Sequence, residues 1–288
     1  MLGGTSPEGT RLQFKEVWMS VVYRKQVNMG VVPIKKLHRR VGIGASIAAA
    51  AIAGFLIGDY MNMPLPSPIV TVKADASLPP TATKENVMVV GGSMAHGWKD
   101  PNDDSYLKRA FQSLTDSTNV TYEYHDKTIV GGSATTVSKS KFESWLQGVK
   151  PNVVVLSWGF LNDAHNKVSP TAIRQAISDE ITEALAAHAV VLVVSPPVTE
   201  ASETNYETLT NEYVSEEFAA AKSIENPNVY DMDVLNQMRS FLTAHNETWR
   251  QYFGDSWHPN QAGHELAGSL LFNDLIETFH QAPIRSKD

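Results

Sequence analysis

The chain has 288 residues, 42% of them hydrophobic and 19% charged, so it is long enough for one sizeable globular core and too apolar to be disordered. It has no cysteine, which excludes disulfides and thiolate metal sites. Charge is unevenly placed: residues 1–40 carry eight Lys and Arg against two acids, and the remainder carries sixteen bases against twenty-nine acids, so the body is acidic and unsuited to a nucleic-acid backbone.

In chain order, residues 1–40 form a basic segment ending in "KKLHRR". "VGIGASIAAAAIAGFLIG", Val41 to Gly58, follows with no charge. As a helix it would be about 27 Å long, close to a bilayer core. The basic cluster before it and the Pro-rich stretch after it predict a membrane anchor over 41–58, with the basic side inside and the C-terminal body outside. A cleaved signal peptide is the alternative, which would make the body secreted; no small-x-small site follows directly. Met29 offers a second start that would leave a short basic leader. Residues 59–86, rich in Pro, Ala, Ser and Thr, read as an extended stalk.

From residue 87 the texture changes, and a domain is expected over 87–282 with a short tail at 283–288. "VMVVGG" reads as a buried strand, "DSYLKRAFQSLTD" as a helix, "NVTYEYHD" as an alternating strand and "TTVSKSKFESWLQGV" as a helix. "NVVVLSWG" is a β-branched strand; "SPTAIRQAISDEITEALAAHA" is a long helix with Ser169 as N-cap and Pro170 at its first position. "VVLVVSPP" is a further buried strand, "NYETLTNEYVSEEFAAAKSI" a helix, "NVYDM" a short strand and "NQAGHELAGSLLFNDLIETFH" the last helix. Continuous apolar strands alternating with helices predict a three-layer α/β/α domain around a doubly wound, parallel, five-stranded sheet of flavodoxin-like type.

In such a sheet the functional residues gather at the C-terminal ends of the strands. There stand Gly91, Gly92 and Ser93; Gly131, Gly132 and Ser133; Trp158 to Asp163; and Ser195 to Pro197, with Asp255 to His258 ahead of the last helix. Taken singly, each admits a bland explanation. Ser93 reads as the N-cap of the following helix as readily as a nucleophile. Asp255 reads as a capping residue beside a surface His258 as readily as the carboxylate that orients an imidazole. Asn162 and Gly132 read as turn residues or as oxyanion donors. Trp158, Trp257 and the "GFLND" stretch read as core packing or as aromatic walls. His96 is a rival base three residues after Ser93. His125, His165, His188 and His264 form no convincing metal set.

Their order is what binds them. From Val87 to about His280 the chain resembles the SGNH/GDSL hydrolase superfamily, whose four blocks appear in sequence as "VVGGSMAHG", "IVGGSATT", "WGFLND" and "DSWHPNQAGH". The resemblance implies Ser93 as nucleophile, His258 as general base and then acid, and Asp255 as its orienting partner. It implies an oxyanion hole made by the Ser93 and Gly132 backbone N–H groups and the Asn162 side chain, with Gly92, Gly159 and Asp163 in support. It implies ester hydrolysis through an acyl-enzyme with no metal or cofactor. Two departures stand out. The family's aspartate before the nucleophile is Gly92, and the asparagine that often opens the second block is missing from "DKTIVGG". The only Gly-Asp-Ser of the chain, Gly254 to Ser256, lies inside the last block, where Ser256 is a bystander. The expected activity is an extracytoplasmic esterase acting on a short acyl group, acetyl first, carried by a small molecule or a glycan. Acyl transfer at the same site, a lysophospholipase-like or lipase-like activity, and a binding protein that has lost efficient chemistry are the alternatives.

Overall fold

The computed structural model describes residues 83–287. The basic segment, the apolar stretch 41–58 and the stalk up to residue 82 lie outside the described residues. Among those described, no helix is long and apolar enough to cross a membrane.

Five parallel strands form the sheet: β1 (Thr83–Gly91), β2 (Val120–Asp126), β3 (Val153–Ser157), β4 (Val190–Val194) and β5 (Val229–Met232), in the spatial order β2-β1-β3-β4-β5. The strand sequences follow from that order. The inner strands β3 and β4 are covered on both faces, and "VVVLS" and "VVLVV" are buried at every position. β2 lies at an edge, so its residues alternate toward solvent.

Between the strands lie α1 (Ser93–His96), α2 (Tyr106–Ser117), α3 (Lys139–Val149), α4 (Leu161–Asn166), α5 (Pro170–Ala186), α6 (Glu207–Ser223), α7 (Val234–Ala244) and α8 (Gln261–Phe279). α2 packs on α8, which also meets α7; α5 packs on α6 and α3. Helices therefore cover the sheet as two outer layers. Their starts are capped by side chains: Ser105, Ser138, Ser169 and Asn260 each accept a backbone N–H from the first turn, Ser169 being the cap expected from the sequence. The α7 helix is absent from the sequence-based expectation. Asp233 caps it, and Val234, Leu235, Met238 and Leu242 form its buried stripe.

Both expected domain ends move outward. β1 begins at Thr83, so residues 83–86 belong to the sheet rather than to the stalk. Glu85 is fully buried and pairs with Arg285. Ile284 is buried in the core, and the Lys287 N–H donates to Asn228 Oδ1 at 2.7 Å. The "tail" thus packs against the foot of the sheet, because a buried Glu85 carboxylate needs a cationic partner.

Strand order also places the site. The chain leaves β1 for β2 on one side and returns to β3 on the other, so the connections part above the β1/β3 boundary and open a crevice there.

Candidate active site

β1 and β3 run so close at their C-terminal ends that a Cβ on Gly91 would overlap the Ser157 carbonyl oxygen and the Ala95 Cβ. Gly92 is different. Its backbone is extended at φ −92°, and a Cβ there would meet Gly132 O at 3.7 Å and Gly159 N at 3.8 Å, ordinary contacts. Gly91→Ala therefore costs about 3 kcal/mol or more of stability, whereas Gly92→Ala stays within about 1 kcal/mol; urea unfolding of the two variants checks the contrast. The position that departs from the family pattern is sterically open, and the strict demand for glycine falls one residue earlier.

The turn delivers Ser93 as the first residue of α1, where its N–H has no acceptor inside the helix. α1 ends after one turn at Gly97, whose φ of 98° reverses the chain. His96, the last residue of α1, does not meet Ser93. Its Nδ1 lies 3.0 Å from Thr128 Oγ1 and 3.1 Å from Asp126 Oδ2, which fastens α1 to the second block.

Asp255 and His258 reach Ser93 from the far end of the chain. The strands β6 (Phe253–Asp255) and β7 (His258–Pro259) form a two-stranded antiparallel hairpin in which these two residues are directly paired. Their three-residue spacing is thus that of a tight hairpin. Ser93 Oγ stands 2.8 Å from His258 Nε2, and His258 Nδ1 stands 2.7 Å from Asp255 Oδ1. Since an ionised carboxylate only accepts, Nδ1 carries the ring proton and Nε2 is left to accept from the serine hydroxyl. The Trp257 N–H donates to the same Oδ1 at 2.9 Å, and Lys99 Nζ lies 3.3 Å from Oδ2. Burial works against the Asp255 charge, but these hydrogen bonds outweigh it and hold the carboxyl below its ordinary range. For His258, burial is the largest influence and lowers its pKa against the opposing pull of Asp255, so the ring is neutral at pH 7.

Ser256 faces away from Ser93. Its hydroxyl donates to Glu200, and its carbonyl accepts the Ala201 N–H at 2.8 Å. It braces the hairpin against the neighbouring loop.

The second and third blocks meet beside Gly92. The Asn162 side-chain amide donates to Gly132 O at 3.4 Å. The Gly132 N–H differs from the expected free donor: it closes a turn on Ile129 O at 2.8 Å, with Gly131 at φ 77° making that turn possible. Ser133 Oγ donates to Asp163, tying the two blocks together; burial pushes the Asp163 carboxyl up to about 6, and this hydrogen bond opposes the rise. Gly159 leaves room for the Met94 side chain, which lies against it.

Of the two readings open for the aromatics, Trp158 and Phe160 take core packing. Trp158 is buried and its Nε1 donates to Glu180 Oε2 at 2.9 Å; Phe160 is buried against Tyr213. Trp257 stays partly exposed, with its ring near His165 and Tyr206. Two site residues escape sequence reasoning: Trp98, whose half-exposed ring centres 6.4 Å from the His258 ring, and Lys99. No local signal marks either, because their partners lie some 160 positions away. Among the described residues no group of three or more His, Asp or Glu could hold a metal ion. The arrangement is suited to drawing a proton from a hydroxyl held against a neutral imidazole.

A search of curated protein sequences finds no match. Solved structures share the fold at low identity. A member of the lipolytic protein G-D-S-L family from Veillonella parvula DSM 2008 is 16% identical, with a TM-score of 0.54 over 68% of this chain and 98% of that one. A family two carbohydrate esterase from Clostridium thermocellum, in complex with cellohexaose, is 16% identical, with a TM-score of 0.51 over 70% and 66%. A two-domain esterase active on acetylated mannans, co-crystallised with mannopentaose, is 17% identical, with a TM-score of 0.53 over 72% and 52%. The family model described as GDSL-like Lipase/Acylhydrolase matches residues 89–266, a stretch that runs from within β1 into α8 and takes in all four blocks. With strand order, block order and this match in agreement, the chain belongs to the GDSL-like lipase/acylhydrolase family.

Proposed function

We propose that this protein is a serine esterase that removes short acyl groups, acetyl first, from carbohydrate-borne esters outside the cytoplasm. The observation that carries the reading is the unbroken relay from Ser93 Oγ through His258 to Asp255, at 2.8 and 2.7 Å. His258 Nε2 takes the hydroxyl proton as Ser93 Oγ attacks the ester carbonyl carbon, and Asp255 stabilises the imidazolium that forms. The resulting oxyanion is met by the Ser93 N–H and the Asn162 amide. His258 then protonates the departing alcohol. Water, deprotonated by the same ring, attacks the acyl-enzyme, and the imidazolium returns that proton to Ser93 Oγ as the acid leaves.

The substrate class rests on the rim. The large apolar side chains exposed among the described residues are Trp98, Val130 and Phe253, and each lies within a few positions of Ser93, Gly132 or Asp255. Exposed aromatic faces beside a leaving-group acid suit a sugar ring better than open solvent. The carbohydrate esterases of the same fold point the same way. The location rests on the uncharged stretch 41–58 and its basic flank.

The test is hydrolysis by the full chain of p-nitrophenyl acetate, butyrate and octanoate, and of acetylated xylan or mannan. Acetate turnover above the longer esters, with acetate released from the polymer, supports the reading. No turnover of any ester overturns it, and a preference for octanoate overturns the short-chain part. A pH profile of the same reaction adds a second check. The base must be neutral, so kcat/KM falls as pH drops through the His258 pKa. Because burial lowers that pKa, the acid limb has its midpoint below the ordinary histidine value.

A further inference from the structure

Lys99 belongs to none of the family blocks, yet its ammonium reaches the carboxylate of the relay. Nζ stands 3.3 Å from Asp255 Oδ2, the oxygen that His258 does not use. The loop that presents it is built for this placement. Lys99 holds φ at 76°, in the left-handed region that few non-glycine residues occupy and that Lys150 and Lys167 also enter in this chain. On the facing hairpin a Cβ at Gly254 would come within 2.8 Å of Pro259 O and 2.9 Å of Lys99 Cβ, so glycine there serves both the hairpin and the close approach of the Lys99 loop. On one side of Lys99, the Trp98 carbonyl accepts from the buried His264 Nε2 at 3.3 Å. On the other, the buried Asp100 carboxylate accepts the Asn102 and Asp104 N–H groups at 2.9 and 3.2 Å and Arg109 Nη2 at 2.7 Å.

We propose that Lys99 is a positioning residue for the triad: it fixes the free oxygen of Asp255 and, through its charge, sets the pH at which His258 becomes available as a base. The proposal rests on the reading of Ser93, His258 and Asp255 as the reacting groups.

The charges around His258 are few. Asp255 faces it from its own hairpin, and Ser93 from α1. Lys99 approaches from the 97–105 loop. Behind Trp98 lie His264, whose pKa burial lowers to about 4 and which is therefore neutral, and the paired Asp100 and Arg109. Glu200 is bound to Ser256. Among the described residues, Lys99 is thus the cation that acts directly on the Asp255–His258 pair. It favours the ionised, oriented carboxylate and disfavours the imidazolium, and the second effect opposes the rise that Asp255 imposes on His258. Lys99 and Asp255 are both partly exposed, at 42% and 37% of the side chain, so the effect is that of a solvent-screened charge and is small.

The experiment compares the full-length wild type with K99M, K99Q and K99R, as kcat/KM for p-nitrophenyl acetate from pH 5 to 9 at low salt, with thermal unfolding in parallel. Two charges separated by the width of a carboxylate at the protein surface shift a titration by about half a pH unit. K99M and K99Q are therefore expected to move the acid limb up by about half a pH unit and to lose roughly three- to tenfold on the alkaline plateau, while K99R keeps the limb in place. An unmoved limb overturns the proposal, whether the rate is unchanged or falls evenly at every pH, since even loss marks packing alone. Failure of both K99M and K99Q to fold also overturns it, because Lys99 then serves the loop and not the triad. A wild type inactive on every ester would instead defeat the esterase reading on which the proposal depends.

Discussion

Ser93→Ala is expected to lower kcat on p-nitrophenyl acetate by about 10⁴-fold or more, while KM changes little. In the proposed mechanism the hydroxyl is the atom that makes the new bond, and water cannot recover its position against His258 Nε2 at 2.8 Å. Folding should be untouched, since the Ser93 side chain gives up one hydrogen bond at a partly exposed site. The control is Ser256→Ala, which removes the serine of the chain's only Gly-Asp-Ser. It forfeits a hydrogen bond to Glu200 and leaves the Ala201 N–H tied to the carbonyl at position 256, so activity should stay within about threefold of wild type. Steady-state kinetics on both variants decides between the two serines. If Ser93→Ala keeps a tenth of the wild-type rate, or Ser256→Ala alone abolishes turnover in a folded protein, the assignment of the blocks is wrong.

That contrast also measures what the sequence makes legible. The fold is readable because buried parallel strands carry continuous apolar runs, and because Ser169–Pro170 and Asn260 announce helix starts through local chemistry. Block order then separates Ser93 from Ser256, a distinction no tripeptide makes alone. What stays hidden depends on distance along the chain. The Glu85–Arg285 pair extends the domain past both expected ends, and nothing near either residue signals the other. Trp158 follows the third strand as a wall residue would, and only the position of Glu180 on α5 shows that it turns into the core. Gly132 can be placed at the rim, but that its N–H closes a turn on Ile129 is a matter of backbone angles. The α7 helix is a different case. Its apolar positions recur at helical spacing behind an aspartate cap, so its signal is local rather than distant.

Asp255→Asn carries the second large effect, a loss in kcat of about 10³-fold, and the reason lies in counting donors. Three donors converge on this carboxylate: the His258 Nδ1–H and the Trp257 N–H on Oδ1, and the Lys99 ammonium on Oδ2. Two carboxylate oxygens can satisfy all three; an amide has a single oxygen. If Asn places its oxygen toward His258, its NH₂ points at Lys99, donor against donor. If it turns the oxygen toward Lys99, the NH₂ meets the Trp257 N–H and obliges His258 to accept at Nδ1. The ring proton then sits on Nε2, facing Ser93 as a donor, and the base is lost. In either orientation the imidazolium has no counter-charge. The two states differ in their dependence on Lys99, which makes the argument testable beyond the single variant. Removing the ammonium relieves the first orientation, so Asp255→Asn should cost less in a K99M background than in wild type, and the double-mutant cycle should depart from additivity. A loss below tenfold for Asp255→Asn, together with an additive cycle, would mean that Asp255 neither fixes the tautomer nor answers to Lys99.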